Sequence, residues 1–261
     1  MMSERVLSLE GVHNFRDAGG YALSGGERMK RRMVWRSGQH HAATDADLDR
    51  IAALDLASVF DLRSSRERAS HPCRRPPEFS AHVVLCADPE TRHAAHVAAS
   101  KGLRGRTAQS TRDSLARNYA RIVFRPELQV MIRNWFAMLG EGQGPSLVNC
   151  MAGKDRTGIA VALLHAAIGV HPDDILADYL LTNTAGDVEA RIASGAATVR
   201  AITGPLDEAV LRVLMGVEAA YLESAWAAID ERYGSRDTYL ERELGLDAAG
   251  RERLRAALSE D

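Results

Sequence analysis

Four short apolar runs constrain the fold most. They are Met33–Arg36, Ala57–Asp61, His82–Cys86 and Ser146–Asn149, each bounded by Gly, Pro, Ser or charged residues. That length and those flanks are the marks of strands. Helical periodicity fills the intervals. Thr44 is placed to cap a helix whose Leu48, Ile51 and Leu54 share one face. Leu115, Tyr119 and Ile122 recur at helical spacing within Arg112–Val123, and Pro126 suits the first position of a helix with Leu128, Met131, Trp135 and Leu139 on its apolar side. Thr157–Ile168, ending near Gly169, and Pro172–Thr182 read as two more, and Val217–Tyr233 is the longest run in a C-terminal third that is almost all helical in pattern. Strands interleaved with covering helices give an α/β fold. We expect a central, mostly parallel sheet of about four or five strands, flanked by helices, with a helical C-terminal extension over about residues 184–261. No composition break divides residues 1–261, so one domain is expected.

A chain of 261 residues buries a substantial core without staples. The three cysteines, Cys73, Cys86 and Cys150, are not a disulfide framework and fit a reducing compartment. A net charge of −2, from 33 basic and 35 acidic residues, gives no general attraction to nucleic acid or to a membrane surface. The stretch MMSERVLSLEGVHNFRD lacks the apolar centre of a signal peptide. The longest apolar run, Ile159–Val170 with His165 inside it, is too short to span a bilayer. A cytoplasmic protein without stable membrane insertion is expected, and export without a cleaved signal stays open. The pairs His40/His41 and His93/His96 have no Cys or carboxylate cluster beside them, so they read as loop histidines, with no metal and no cofactor implied. Cys86 and His165 read as core residues and Cys73 as exposed. The oligomeric state is not legible.

The chemistry concentrates in N-C-M-A-G-K-D-R-T-G, Asn149–Gly158. It reads as a strand end, a tight loop, and a helix beginning near Thr157. Gly153 can take a positive φ where the backbone turns. In such a loop the amides of Met151, Ala152, Gly153, Lys154, Asp155 and Arg156, with the unpaired N–H groups of the first helical turn, face one concavity suited to a tetrahedral oxyanion. Partial positive charge there favours Cys150 as thiolate, the nucleophilic form. Arg156 returns to the loop mouth, where its planar fork matches two oxygens of a phosphate. Phosphoryl transfer spreads charge over three oxygens, so a rigid cage of donors is the catalysis it needs. Thr157 is placed to hydrogen-bond the sulfur as it leaves. A nucleotide-binding loop does not fit, because Val148 stands where its first glycine would be and Asp155 follows Lys154.

Further motifs fall in order: Asn14-Phe15-Arg16-Asp17-Ala18-Gly19-Gly20-Tyr21, Arg36-Ser37-Gly38, Asp61-Leu62-Arg63-Ser64, Asp178-Tyr179-Leu180-Leu181-Thr182-Asn183 and Tyr233-Gly234-Ser235. With Gly153-Lys154-Asp155-Arg156-Thr157-Gly158 they make the chain, over roughly residues 8–245, resemble the bacterial tyrosine/serine phosphatase family. That atypical cysteine-dependent group carries Lys-Asp inside the loop and includes triple-specificity enzymes acting on phosphotyrosine, phosphoserine/threonine and phosphoinositides. The resemblance implies hydrolysis of phosphomonoesters through a phosphocysteine on Cys150, with phosphorylated proteins, peptides or phosphoinositides as partners and Asp155 as general acid. One position departs from the pattern: the family usually has His before the cysteine, and this chain has Asn149. Asn can donate a hydrogen bond but cannot become cationic, so activity that is weaker, or displaced to higher pH, is expected.

Alternatives remain at several positions. A carboxyl beside a phosphate dianion holds its proton more tightly, which suits Asp155 as the acid. Asp61, at a strand end, could reach the same site, and Asp88 and Asp113 are looser candidates. Lys154, Arg16 and Arg63 are candidates for substrate binding, Lys154 for a polyanion, each against a structural role for the same side chain. Gly186, Gly195 and Gly204 punctuate a conceivable lid over Thr184–Pro205. Two rival functions compete: a phosphate- or phosphoinositide-binding pseudophosphatase disabled through Asn149, and a sulfurtransferase carrying a persulfide on Cys150. The retained Cys150 and Arg156-Thr157-Gly158 favour the hydrolase.

Overall fold

Side-chain alternation in three neighbouring strands sets the layers. Trp35, Val59 and Leu147 join one buried cluster with Val12, Phe15, Leu48 and Ile51, while their neighbours Val34, Phe60 and Val148 join the larger cluster on the other side. Successive strand residues face opposite ways, so a sheet with both faces covered must be apolar at both parities. The computed structural model describes residues 5–87, 105, 107–185, 189 and 207–261. The strands are β1 (Arg16–Asp17), β2 (Arg28–Met29), β3 (Val34–Ser37), β4 (Ser58–Asp61), β5 (His82–Leu85), β6 (Ser146–Asn149) and β7 (Ser259–Glu260). One sheet has the order β1-β3-β6-β4-β5. Its four longer strands run parallel, and β1 lies antiparallel on β3. In register, Asn149 stands opposite Ser37 on one side and Asp61 on the other. The carboxyl ends of β3, β4 and β6 therefore meet where the chain turns into Cys150, the usual place for a ligand in an open parallel sheet.

The helices are α1 (Asp45–Ala52), α2 (Ser65–Ser70), α3 (Ala108–Ile122), α4 (Pro126–Gly140), α5 (Asp155–Ile168), α6 (Pro172–Leu180), α7 (Thr182–Ala185), α8 (Glu208–Met215), α9 (Ala219–Tyr233), α10 (Arg236–Leu244) and α11 (Ala248–Leu258). Thr44 caps α1 through a reciprocal pair with Asp47, and Pro126 stands at the start of α4, as expected. Every residue from Thr157 to His165 is buried, so α5 is a central helix, packed by α6 and α11. It ends at Gly169, whose φ of 89° is the left-handed cap that glycine takes freely. Among the C-terminal helices, α9 packs on α3 and α11 on α4 and α5.

Three features differ from expectation. The pair Arg16–Asp17 forms an antiparallel edge strand, although two charged residues carry no strand pattern. The helix α5 begins at Asp155, two residues before Thr157, because an acidic residue in the first turn complements the helix dipole. A second, two-stranded sheet pairs Arg28 with Glu260 and Met29 with Ser259. Lys30 N–H donates to Leu258 O at 2.7 Å beside it, and Arg255 bonds Ser24 and Glu27. Among the described residues, no helix is long and apolar enough to cross a membrane.

Candidate active site

Cys150 follows β6 directly and is 2% exposed. The loop after it is held by its carbonyls. Met151 O accepts from the Gln39 amide at 3.1 Å. Gly153 O accepts from Asn14 Nδ2 at 2.8 Å and from Arg36 Nη2 at 3.0 Å. In a trans peptide the N–H points opposite to the C=O. Drawing these two carbonyls outward therefore turns the amides of Ala152 and Lys154 to the opposite side. Gly153 has φ +63°, and a Cβ there would lie 2.4 Å from the carbonyl carbon of Ser37. No larger residue fits without moving β3. The cap of α5 is Lys154, which makes no side-chain cap bond, so the orphan amides of the first helical turn stay open to an anion.

Arg36 is itself placed by a buried carboxylate. Its Nη1 lies 2.6 Å from Asp178 Oδ2, and Arg16 Nε approaches Asp178 Oδ1 at 3.5 Å. Arg16 also donates to Asp178 O at 2.9 Å and to Asn14 Oδ1. All three charged side chains are almost completely buried. Burial, and then repulsion from Arg36, pushes Arg16 down to about 9. Burial opposes the charge of Asp178, but Arg16 and Arg36 outweigh it and hold that carboxyl well below its ordinary range. One anion between two cations leaves a net positive charge beneath the loop.

Arg156 is gripped from the other side. Its Nη1 and Nη2 donate to Glu67 Oε2 and Oε1, both at 2.7 Å, and Nη1 also donates to Leu62 O at 2.9 Å. Burial alone would favour losing its proton, but the hydrogen bonds to Glu67, followed by the charge of Cys150, drive its pKa above the ordinary arginine value. Glu67 Oε2 accepts Ser64 N–H at 2.7 Å as well, completing a capping box on α2. Sequence reasoning passed over Glu67. The signal was there as Ser64-Ser65-Arg66-Glu67, a helix-start pattern, but nothing in it names the guanidinium it serves.

The remaining loop side chains meet at the start of α5. Asp155 Oδ1 accepts from Tyr119 Oη at 2.8 Å and faces Lys154 Nζ at 3.7 Å. Thr157 is fully buried in the first turn of α5, and its hydroxyl has no partner among the described residues.

A sequence profile described as the tyrosine phosphatase family matches residues 7–260. The chain belongs to that family. The phosphatase is 35% identical to a provisionally named tyrosine-protein phosphatase of Cupriavidus necator, over 93% of this chain and 85% of that one. It is 33% identical to the triple specificity protein phosphatase PtpB of Mycobacterium tuberculosis, over 97% and 99% of the two chains. A tyrosine-protein phosphatase of Nostoc commune is 28% identical over 83% and 71%. As a member, the chain is a phosphoester hydrolase with the mixed α/β fold described above.

In this phosphatase several candidate side chains are engaged by partners within the protein. Arg63 is buried and spans both oxygens of Asp61, with Nη2 at 2.7 Å from Oδ2 and Nε at 2.9 Å from Oδ1. Asp61 is thereby an ion-pair partner, and its Oδ1 also lies 3.4 Å from Asn149 Nδ2. Arg16 is committed to Asp178. Lys154, a candidate for meeting a polyanion, is 5% exposed, with its ammonium on Gly216 O at 3.2 Å and Leu214 O at 2.5 Å. Asn149 is buried, with Oδ1 unpartnered among the described residues. Cys73 is half-buried rather than exposed, its sulfur 2.9 Å from Arg63 Nη2. His40 is buried against Ser37 Oγ at 2.9 Å rather than solvated, and His165 is buried with Nε2 2.9 Å from Ala18 O. Asp113 is exposed and accepts from Gln109. Asp88, His93, His96 and residues 186–188 and 190–206 of the suggested lid lie outside the described residues.

Proposed function

We propose that this phosphatase hydrolyses phosphotyrosine, and phosphoserine/threonine or phosphoinositides as further substrates, through a phosphate bound covalently to Cys150. The observation that carries the reading is the outward-bonded loop that follows Cys150, together with an Arg156 held bidentately by Glu67 and within reach of the Cys150 charge. The amides of Met151–Arg156 and the Arg156 guanidinium hold the three equatorial phosphoryl oxygens. The Cys150 sulfur attacks phosphorus, and the P–O bond to the alcohol or phenol breaks. Asp155 delivers a proton to that leaving oxygen, then takes one from the water that attacks the phosphocysteine. The buried Thr157 hydroxyl, with no other partner among the described residues, donates to the sulfur as it departs. Asp61 is set aside as the acid because both of its oxygens serve Arg63. The chain folds as one catalytic domain, and Lys154, Arg16 and Arg63 act by bracing it.

The substrate range follows the name of the Mycobacterium tuberculosis relative, and the near-complete coverage of both chains supports it. The test is a rapid-mixing burst with p-nitrophenyl phosphate, then a panel of phosphopeptides and inositol phospholipids with Cys150→Ser as the blank. One p-nitrophenol released per protein before steady turnover is expected. Full activity in Cys150→Ser would overturn the reading.

A further inference from the structure

One buried hydroxyl outside the mechanism bonds the proposed acid. Tyr119 Oη donates to Asp155 Oδ1 at 2.8 Å, yet Tyr119 comes from α3, 36 residues earlier in the chain. We propose that Tyr119 is the positioning residue of the general acid: its hydroxyl occupies one carboxyl oxygen of Asp155 and leaves the other to carry the proton to the leaving group. The inference rests on the reading of Asp155 as the acid.

A phenol has one proton to give, and here it goes to Oδ1. A protonated carboxyl has one acceptor-only oxygen and one that bears the proton, so a fixed donor on Oδ1 assigns the acid proton to Oδ2. Lys154 Nζ reinforces the assignment, since the 3.7 Å approach is also to Oδ1. The Asp155 side chain is about one-third exposed, whereas Tyr119 is fully buried; on this proposal the oxygen turned from Tyr119 is the one that meets substrate.

The hydroxyl is fixed by ring packing. The Tyr119 ring meets Tyr179 edge-on, at 6.1 Å and 78°, and Tyr221 at 5.6 Å and 34°. Those rings belong to α6 and α9, so three helices locate one hydroxyl. The charged and titratable groups around the Asp155 carboxyl are Lys154 and Arg156 on its own segment, Tyr119 on α3, Tyr179 on α6 and Tyr221 on α9. Burial, then the Asp155 charge, raises the Tyr119 phenol well above its ordinary value, so it stays a donor across the working range. Removing a hydroxyl that donates to a carboxylate disfavours the unprotonated form, so its loss has a pH readout as well as a rate readout.

Tyr119→Phe in the intact chain tests this with phenyl phosphate, whose leaving group needs a proton, and p-nitrophenyl phosphate, whose leaving group hardly does. We expect kcat for phenyl phosphate to fall about tenfold or more, and for p-nitrophenyl phosphate less than about threefold. The alkaline limb of the kcat profile should move to higher pH, and Tyr119→Phe should add nothing in an Asp155→Asn background. Equal losses on both esters with an unmoved limb would reduce Tyr119 to packing and overturn the inference. If Asp155→Asn leaves the two esters equally affected, the acid reading falls and takes the inference with it. If Asp155→Asn separates them and Tyr119→Phe does not, only the inference falls. Should Tyr119→Phe fail to fold, 3-fluorotyrosine at position 119 keeps the shape and strengthens the donor: a limb moved to lower pH supports the proposal, and an unmoved limb overturns it.

Discussion

Glu67 and Arg156 face each other through two parallel hydrogen bonds of 2.7 Å, and the same Glu67 oxygen that holds Arg156 Nη1 also caps α2 at Ser64. A six-residue helix thus sets the angle of the guanidinium at the loop mouth. Fork-to-fork pairing fixes orientation as well as distance, and orientation is what a phosphoryl transition state requires of its cation.

Glu67→Gln separates these duties. A glutamine at this position still completes a capping box, but its amide nitrogen would face the second guanidinium nitrogen. We expect kcat to fall roughly 10- to 100-fold while the thermal midpoint stays nearly unchanged. Steady-state assays beside a melting curve make the comparison. An unchanged kcat would mean that Arg156 needs no bracket.

Asp178→Asn tests the brace beneath the loop. It leaves Arg16 and Arg36 facing each other in a dry interior without their anion, a loss of about 3–5 kcal/mol for a broken buried pair. Urea unfolding monitored by tryptophan fluorescence reads it directly. A change smaller than about 1 kcal/mol would show that the Arg16 and Arg36 hydrogen bonds carry the loop without the carboxylate.

His40 gives the stability a pH slope. Burial, with the Arg75 charge behind it, pushes its imidazole down to about 3. The unfolded chain takes up that proton near pH 6.5, so between these values the unfolded state binds more protons. The contribution of His40 is therefore complete above about pH 6.5 and declines as pH falls, by at most about 1.4 kcal/mol per unit. His40→Gln should flatten the urea midpoint between about pH 6 and about pH 4. A slope equal to that of the unaltered chain would assign acid sensitivity elsewhere.

Asn149→His addresses the departure next to the nucleophile. The Asn149 amide lies 3.4 Å from Asp61 Oδ1, so an imidazole there gains an anion that favours its cationic form. A cation beside Cys150 favours the thiolate. Alkylation of Cys150 by iodoacetate at mildly acidic pH should quicken by roughly tenfold, the size of one pKa unit. Equal rates in both proteins would mean that the loop amides and the guanidinium already set the thiolate.

Much of this architecture is legible in the chain, and the gaps share a cause. Ser146–Asn149 is a strand with the expected bounds, and Gly153 takes the positive φ expected of it, because a strand, a loop and a helix in succession make a local problem. Lys154 escaped the same reasoning since its acceptors are carbonyls some 60 residues onward, at Leu214 and Gly216, with no side-chain identity to advertise them. Glu67 is 89 residues from Arg156. Arg16–Asp17 is too short and too polar for any periodicity, and it is a strand only because Trp35 and Arg36 lie alongside. Local pattern reports neighbours along the chain, whereas braces are drawn from across it.

The ribbon of Arg28–Met29 with Ser259–Glu260, and the Arg255 contacts to Ser24 and Glu27, have a bearing on biosynthesis. A ribosome makes Arg255 231 residues after Ser24, so the nascent segment from Ser24 to Met29 emerges from the exit tunnel long before its clasp exists. Translation would proceed with that edge unguarded, open to holdase chaperones, until Ser259 and Glu260 are made.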